Sequence, residues 1–136
     1  QVDFHILPET ELSLVVEDDD LRILASPVRH LIPTIGLRIE SKKKNWSAAF
    51  SSDTRPCLEV TRLAQSADIL FHEASGDMEG HSSASQAGDI ACQAAARKLV
   101  LVHYDPRANL TLLLQEAKKT FAGETTLGRD GDIIPI

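Results

Sequence analysis

The chain is short of cysteine, of aromatic residues and of long apolar runs, and each shortage excludes a class of protein. Its two cysteines, Cys57 and Cys92, stand in apolar helical patterns without a CxxC partner, so neither a disulfide framework nor a thiolate zinc site is expected. That usage fits a reducing cytosol. No run approaches the roughly 18 apolar residues that span a membrane, and the start, Gln1 to Pro8, lacks the basic-then-apolar plan of a secretory signal. The expectation is a cytoplasmic protein that makes no membrane contact. Positive charge is scarce too: 14 basic residues face 20 acidic ones, a net charge of −6, which argues against a generally basic nucleic-acid surface. A local run, Lys42, Lys43 and Lys44, has the charge to touch phosphates but reads first as a solvated turn. The chain begins without Met and in mid-pattern, which leads us to expect a processed or truncated piece.

What is present suffices for one core. At 136 residues, 43% hydrophobic and a quarter charged, the chain has the size of a single domain, 1–136. The hydrophobic period changes once. Up to about residue 50 it is short and strand-like, over Val2 to Leu7, Glu11 to Glu17, Leu21 to Ser26, Thr34 to Glu40 and Trp46 to Phe50, which predicts an antiparallel meander. After Asp53, helices alternate with strands: Pro56 to Ser66 helical, Asp68 to His72 extended, Ser83 to Arg97 helical, Lys98 to His103 extended, and Leu110 to Phe121 helical. A last strand pair, Glu124 to Leu127 and Asp132 to Ile134, is expected around Arg129-Asp130-Gly131. Repeats, low-complexity segments and linkers are absent from the sequence.

The strands ADILFHEA and KLVLVHY are apolar runs of the kind buried in a sheet under helices, and both reach a histidine near their ends. In open α/β sheets ligands bind beyond the carboxyl ends of the strands, which puts His72 and His103 at the edge where chemistry is usually done. A third strand, WSAAF, ends in Ser51-Ser52-Asp53-Thr54. Asp53, His72 with Glu73, and His103 therefore offer imidazole and carboxylate at one edge, the donor set of a borderline divalent ion such as zinc. Each has a plainer reading. Asp53 is a favoured type for capping the following helix, and His103 before Tyr104-Asp105-Pro106 fits a turn. His72 suits a buried structural role. His81, where a loop meets a helix capped by Ser82 or Ser83, equally suits a free surface position, and His5 reads as structural.

The order of the pieces is more specific than any one of them. The segment FSSDTRPCLEVTRLAQSADILFHEASGDMEGHSSASQAGDIACQAAARKLVLVHYDPR, residues 50–107, resembles the carboxyl-terminal half of the ribonuclease Z family of the metallo-β-lactamase superfamily. The family's Ser-Gly-Asp-Thr-Arg, His-Glu-Ala-Thr, Gly-His-Ser-Thr and His-Phe-Ser-Pro-Arg segments find counterparts in Ser51 to Arg55, His72 to Ser75, Gly80 to Ser83 and His103 to Arg107. SPVRHLIPTIGLRIE upstream and LGRDGDIIPI at the end are similar to further family segments.

The resemblance implies an α/β fold: half of a metallo-β-lactamase-type αββα sandwich, a mixed sheet with helices on one face. It implies that Asp53 bridges two divalent metal ions, that His103 is a terminal ligand, and that His81 stabilises charge or protonates the leaving oxygen, since an imidazole exchanges protons near neutral pH. Glu73 then orients His81. Arg55 and Arg107 are candidate phosphate contacts, because a guanidinium fork matches phosphate oxygens, and His30 receives no ligand role. The implied reaction is two-metal hydrolysis of a phosphodiester by hydroxide attack, on the 3′ trailer of a precursor tRNA in ribonuclease Z, with zinc, manganese or iron as the metals.

Departures matter. Ser52 replaces Gly, Ser75 replaces Thr, and Tyr104-Asp105 replaces Phe-Ser, so a negative charge stands near the phosphate position. The superfamily's His-x-His-x-Asp-His motif does not occur among His5, His30, His72, His81 and His103. The expected partners are thus a missing amino-terminal half carrying HxHxDH, an RNA substrate, and a second copy in a homodimer joined through an exposed apolar face. A non-catalytic α/β interaction or scaffold module stays open beside the hydrolase, as does a relative acting on a small phosphodiester or ester.

Overall fold

Strands pair in the order in which the chain makes them. The computed structural model describes Phe4 and residues 6–135, and in it β1 (Ser13–Glu17), β2 (Leu21–Val28), β3 (Thr34–Ser41) and β4 (Trp46–Phe50) form an antiparallel meander. β5 (Ile69–Glu73), β6 (Lys98–Val102) and β7 (Glu124–Leu127) then add in parallel to β4, through α1 (Leu58–Leu63), α2 (Ala84–Gln93) and α3 (Leu110–Thr120). The single mixed sheet has the order β1-β2-β3-β4-β5-β6-β7.

Three successive right-handed crossovers advancing in one direction place all three helices on the same face of the sheet. The buried cluster bears this out. It joins Ala49, Leu70, Leu99 and Leu101, alternate positions on β4, β5 and β6, to Val60 of α1, Ala87, Ile90 and Ala91 of α2, and Ala117 of α3. The other face carries Phe50 and Phe71, whose rings stack at 4.4 Å with planes 1° apart, and the half-buried Ile39 and Val102. No helix among the described residues covers it. The expected half-sandwich layering, helices on one face only, is thereby observed.

Helix ends follow local chemistry. Ser83 caps α2, its hydroxyl accepting from Gln86 N at 3.3 Å while the Gln86 side chain accepts from Ser83 N at 2.8 Å, a capping box. Asn109 caps α3 by accepting from Leu112 N at 3.1 Å. The first two helices are shorter at their ends than their apolar periods suggest: α2 stops at Gln93 because Ala95 turns left-handed at φ 52°, and α1 keeps only six residues because Cys57 is extended and Ser66 turns at φ 52°. α2 and α3 cross at Gly88, where a Cβ would stand 2.5 Å from the Ala117 carbonyl oxygen and against Thr120 Oγ1.

Two expectations fail at the chain ends. Asp132–Ile134 forms no strand. Asp132 Oδ2 instead accepts from Arg129 N at 2.9 Å in a turn that Gly131 closes at φ +87°, and β7 pairs in parallel with β6 rather than with a following hairpin arm. At the other end, part of the expected strand over Val2 to Leu7, His5 included, lies outside the described residues, while Phe4, Ile6 and Leu7 are in no strand. No helix among the described residues is long and apolar enough to cross a membrane.

Candidate functional site

The parallel strands deliver their ends to one edge, and the turn between β2 and β3 reaches the same edge. β4 runs on through Ser51, whose N–H donates to Phe71 O at 2.9 Å. Ser52 then reverses the chain at φ 53° and brings Asp53 over the strand end. A left-handed backbone costs an L-residue roughly 1–2 kcal/mol that glycine escapes. Ser52→Gly is therefore expected to raise stability by about 0.5–1 kcal/mol, after its own chain-entropy cost. A thermal midpoint unchanged or lowered in the variant would contradict that assignment.

Behind Asp53 lies a buried polar hub. Thr54 is fully buried: its N–H donates to Glu73 Oε1 at 3.0 Å, its carbonyl accepts from Ser82 Oγ at 2.7 Å, and its hydroxyl accepts from Arg29 N at 3.0 Å. Glu73, 1% exposed, also accepts from Ser75 N through Oε2 at 3.0 Å. Burial pushes the Glu73 carboxyl up, but hydrogen bonds from Ser75, Thr54 and Ser82 outweigh it and hold the group below the usual carboxylate range. An ionised Glu73 has one more task, since His81 Nδ1 lies 3.0 Å from its Oε1. An imidazole that donates from Nδ1 to a carboxylate keeps a lone pair on Nε2, the form suited to holding a cation or taking a proton.

Asp53, His81 and His103 each offer one ligand atom, and these three atoms lie within 4.8 Å of one another. His103 also turns left-handed, at φ 51°, and its carbonyl accepts from Ser75 Oγ at 2.9 Å. Its Nε2 is 3.6 Å from Asp53 Oδ2, too far for a direct hydrogen bond. Two ligands at about 2.0–2.2 Å from one ion stand roughly 3–4 Å apart, so the 3.6 Å between Asp53 and His103 and the mixed nitrogen and oxygen donors both fit a divalent cation.

Sequence reasoning passed over one member of this neighbourhood. His30, just past β2, packs edge-on against the His81 ring with centroids 4.8 Å apart, and its Nδ1 donates to Gly80 O at 2.8 Å. As in His81, the bond through Nδ1 leaves Nε2 unengaged. Gly80, at φ +80°, admits this contact: a Cβ there would stand 2.9 Å from His30 Nδ1 and 3.0 Å from Leu31 Cγ.

Asp53 is not a helix cap, since the residue at the start of α1 is Cys57. His72 is fully buried. Its Nδ1 donates to Glu73 O at 2.8 Å, its Nε2 has no partner among the described residues, and burial pushes its pKa down against the pull of Glu73. Arg55 is exposed at the edge of two cavities beside His81. Arg107 is turned onto Asp105, which it holds at 2.9 and 3.0 Å, lowering the Asp105 pKa to about 2.

Comparison with known proteins agrees with this fold. Residues 1–104 match the Beta-lactamase superfamily domain. The chain is similar to ribonuclease Z of Bacillus licheniformis, at 31% identity over 85% of this chain and 57% of that protein. It is also similar to ribonuclease Z of Azobacteroides pseudotrichonymphae, at 32% over 100% and 61%. The chain thus spans about three-fifths of the length of these relatives. Among solved structures, the metallo-beta-lactamase fold protein YhfI of Bacillus subtilis superposes with a TM-score of 0.77 at 24% identity, covering 86% of this chain and 50% of that one. The short form of human tRNase Z superposes with a TM-score of 0.72 at 26% identity, covering 91% and 46%. With this fold, these ordered strand-end residues and the match over residues 1–104, the chain belongs to the beta-lactamase superfamily and is ribonuclease Z-like within it.

Proposed function

We propose that this chain supplies one half of the active site of a metal-dependent phosphodiester hydrolase, and the observation that carries the reading is the convergence of Asp53, His81 and His103 from three separate loops. Asp53 and His103 would hold metal. A carboxylate offers two oxygens and so suits a pair of divalent ions, zinc, manganese or iron. His30 joins the candidate ligands through Nε2. When bound, the ions would polarise the phosphoryl oxygens and supply a nucleophile from water.

The chain's own residues do the rest. Glu73 holds His81 through Nδ1 and leaves Nε2 unbonded, so that the ring, once protonated there, would pass its Nε2 proton to the leaving oxygen or stabilise charge while the Nδ1 proton stays bonded to Glu73. Arg55 is placed to take a phosphate oxygen. Arg107 reaches one only by leaving Asp105. A partner half carrying HxHxDH would complete the ligand set, packing on the sheet face that carries the half-buried Phe50 and Phe71 and that no helix among the described residues covers.

The resemblance of the motifs to ribonuclease Z, with a tRNase Z among the similar structures, makes the 3′ trailer of a precursor tRNA the first substrate to test. A small phosphodiester stands second, favoured by one observation: the alignment to the Bacillus ribonuclease Z runs over 175 residues, more than the 136 of this chain, so that relative has segments without counterpart here. The test is turnover of both substrates by the protein that carries this chain, loaded with zinc or manganese. His81→Ala is expected to lower kcat by about 10²–10⁴. Glu73→Gln should share much of that loss, because it removes the charge that orients the imidazole. If the loaded wild type hydrolyses neither substrate yet binds a protein partner, the chain is instead an interaction module.

A further inference from the structure

Two cavities flank His81 and share Arg55, Glu79 and Gly80. One, about 500 Å³, is lined by Arg29, His30, Leu31 and Ile32; the other, about 380 Å³, by Met78, Asp77 and His81. Their charge is mixed. Arg29 is paired with Glu59 through Nη2 at 2.5 Å and Nε at 3.0 Å, and Arg107 with Asp105. Arg129, past β7, is bonded to Asp132 only through its backbone amide, and its guanidinium has no carboxylate partner among the described residues. Among the described residues, Arg55 is the arginine lining these cavities that has no carboxylate partner, and Asp77 and Glu79 beside it have no cation partner. The lysine run 42–44 turns at the opposite end of β4, and two of its members are tied to Glu17 and Asp20. A nucleic acid held by several phosphates needs several free cations and loses affinity steeply with salt. Among the described residues this edge offers two, Arg55 at the cavities and Arg129 past β7.

Apolar surface is not scarce there. Leu31, Ile32 and Met78 are 64%, 66% and 57% exposed, and they border the same cavities as Arg55. Leu31 has room beside the backbone of residue 80 because that residue is glycine: a Cβ there would stand 3.0 Å from Leu31 Cγ.

We propose that this rim selects a small phosphodiester with one anionic phosphate joined to an apolar or aromatic group, the phosphate meeting Arg55 and the apolar group lying on Leu31, Ile32 and Met78. The inference rests on the hydrolase reading above and names its substrate class.

The test compares bis(4-nitrophenyl) phosphate with methyl 4-nitrophenyl phosphate, which share a leaving group and differ in one aryl ring, and both with a precursor tRNA. The metal-loaded protein carrying this chain is the enzyme. Arg55→Ala is expected to raise KM for both diesters by about tenfold or more, with kcat little changed and Arg55→Lys partly restoring binding. The double change Leu31→Ser with Met78→Ser should raise KM about tenfold for the diaryl ester and leave the methyl ester within about twofold. Titration with diphenyl and dimethyl phosphate, which read binding without turnover, should show the same ratio. kcat/KM for the diesters should fall with salt at a log–log slope of about −1 or shallower. Two results overturn the inference while leaving the hydrolase intact: diester selectivity untouched by these variants, or tRNA cleaved in preference to both diesters with a slope of about −4 or steeper. Hydrolysis of none of the three overturns the hydrolase reading itself, and this inference with it.

Discussion

Asp53→Ala is expected to abolish metal loading and to lower phosphodiester turnover by about a thousandfold or more, since bound metal supplies several kcal/mol of transition-state stabilisation. The loss should be chemical rather than structural. Asp53 is partly exposed, accepts no hydrogen bond from the core and caps no helix, so the metal-free variant should unfold within about 0.5 kcal/mol of the wild type. Added zinc or manganese then separates the two. A ligand that binds the native state raises its stability by mass action, so the thermal midpoint should climb with metal in the wild type and stay flat in Asp53→Ala. A variant that keeps both its metal and its midpoint shift would show that Asp53 is not a ligand. One that unfolds without metal would make its role structural.

Gly88→Ala should produce the largest loss of stability. The two helices meet at Gly88 so closely that a methyl group would stand 2.5 Å from the Ala117 carbonyl oxygen and against the Thr120 hydroxyl, which itself donates to Ser85 O at 2.8 Å. Thr120 can rotate at the cost of that bond, but the Ala117 backbone cannot yield unless α3 moves. Overpacking of this kind costs about 2–3 kcal/mol, enough to lower the thermal midpoint by roughly 10 °C in a domain of this size. The control is the exposed neighbour Asp89, where alanine should be neutral within about 0.5 kcal/mol. Equal midpoints for the two variants would mean that the helices do not cross at Gly88.

Much of this architecture was legible in the residues. The strand Trp46–Phe50 falls where its apolar run places it and Glu124–Leu127 where the first arm of the closing pair was expected, and the switch from a period of two to a helical one marks where antiparallel pairing gives way to parallel. Helix ends were less legible because left-handed turns at Ser66 and Ala95 close them, and neither residue type advertises that conformation. The tail beyond β7 was misread because Asp-Gly also signals a hairpin, and whether a hairpin forms depends on a second strand finding a partner. At the site, motif order brought Asp53, Glu73, His81 and His103 to attention. His30 escaped, because what ties it to the others is a bond to a backbone carbonyl fifty residues away, and a carbonyl leaves no mark in a sequence. The engagement of Arg107 by Asp105 lay within a single loop, but composition shows only that both charges are present, not that each satisfies the other.

Because the spatial order of the strands is their order of synthesis, every strand that emerges from the ribosome meets an edge already built. The closures are short, a three-residue acidic turn between β1 and β2 and single helices between β4, β5, β6 and β7, and short closures are entropically cheap and fast. The sheet can therefore grow one strand at a time without waiting for distant chain. The chemistry arrives late in that sequence: Asp53 follows the fourth strand, His81 the fifth, and His103 the sixth. A nascent chain halted before β6 would carry a growing sheet and an incomplete set of ligands, so assembly and competence are separated in time.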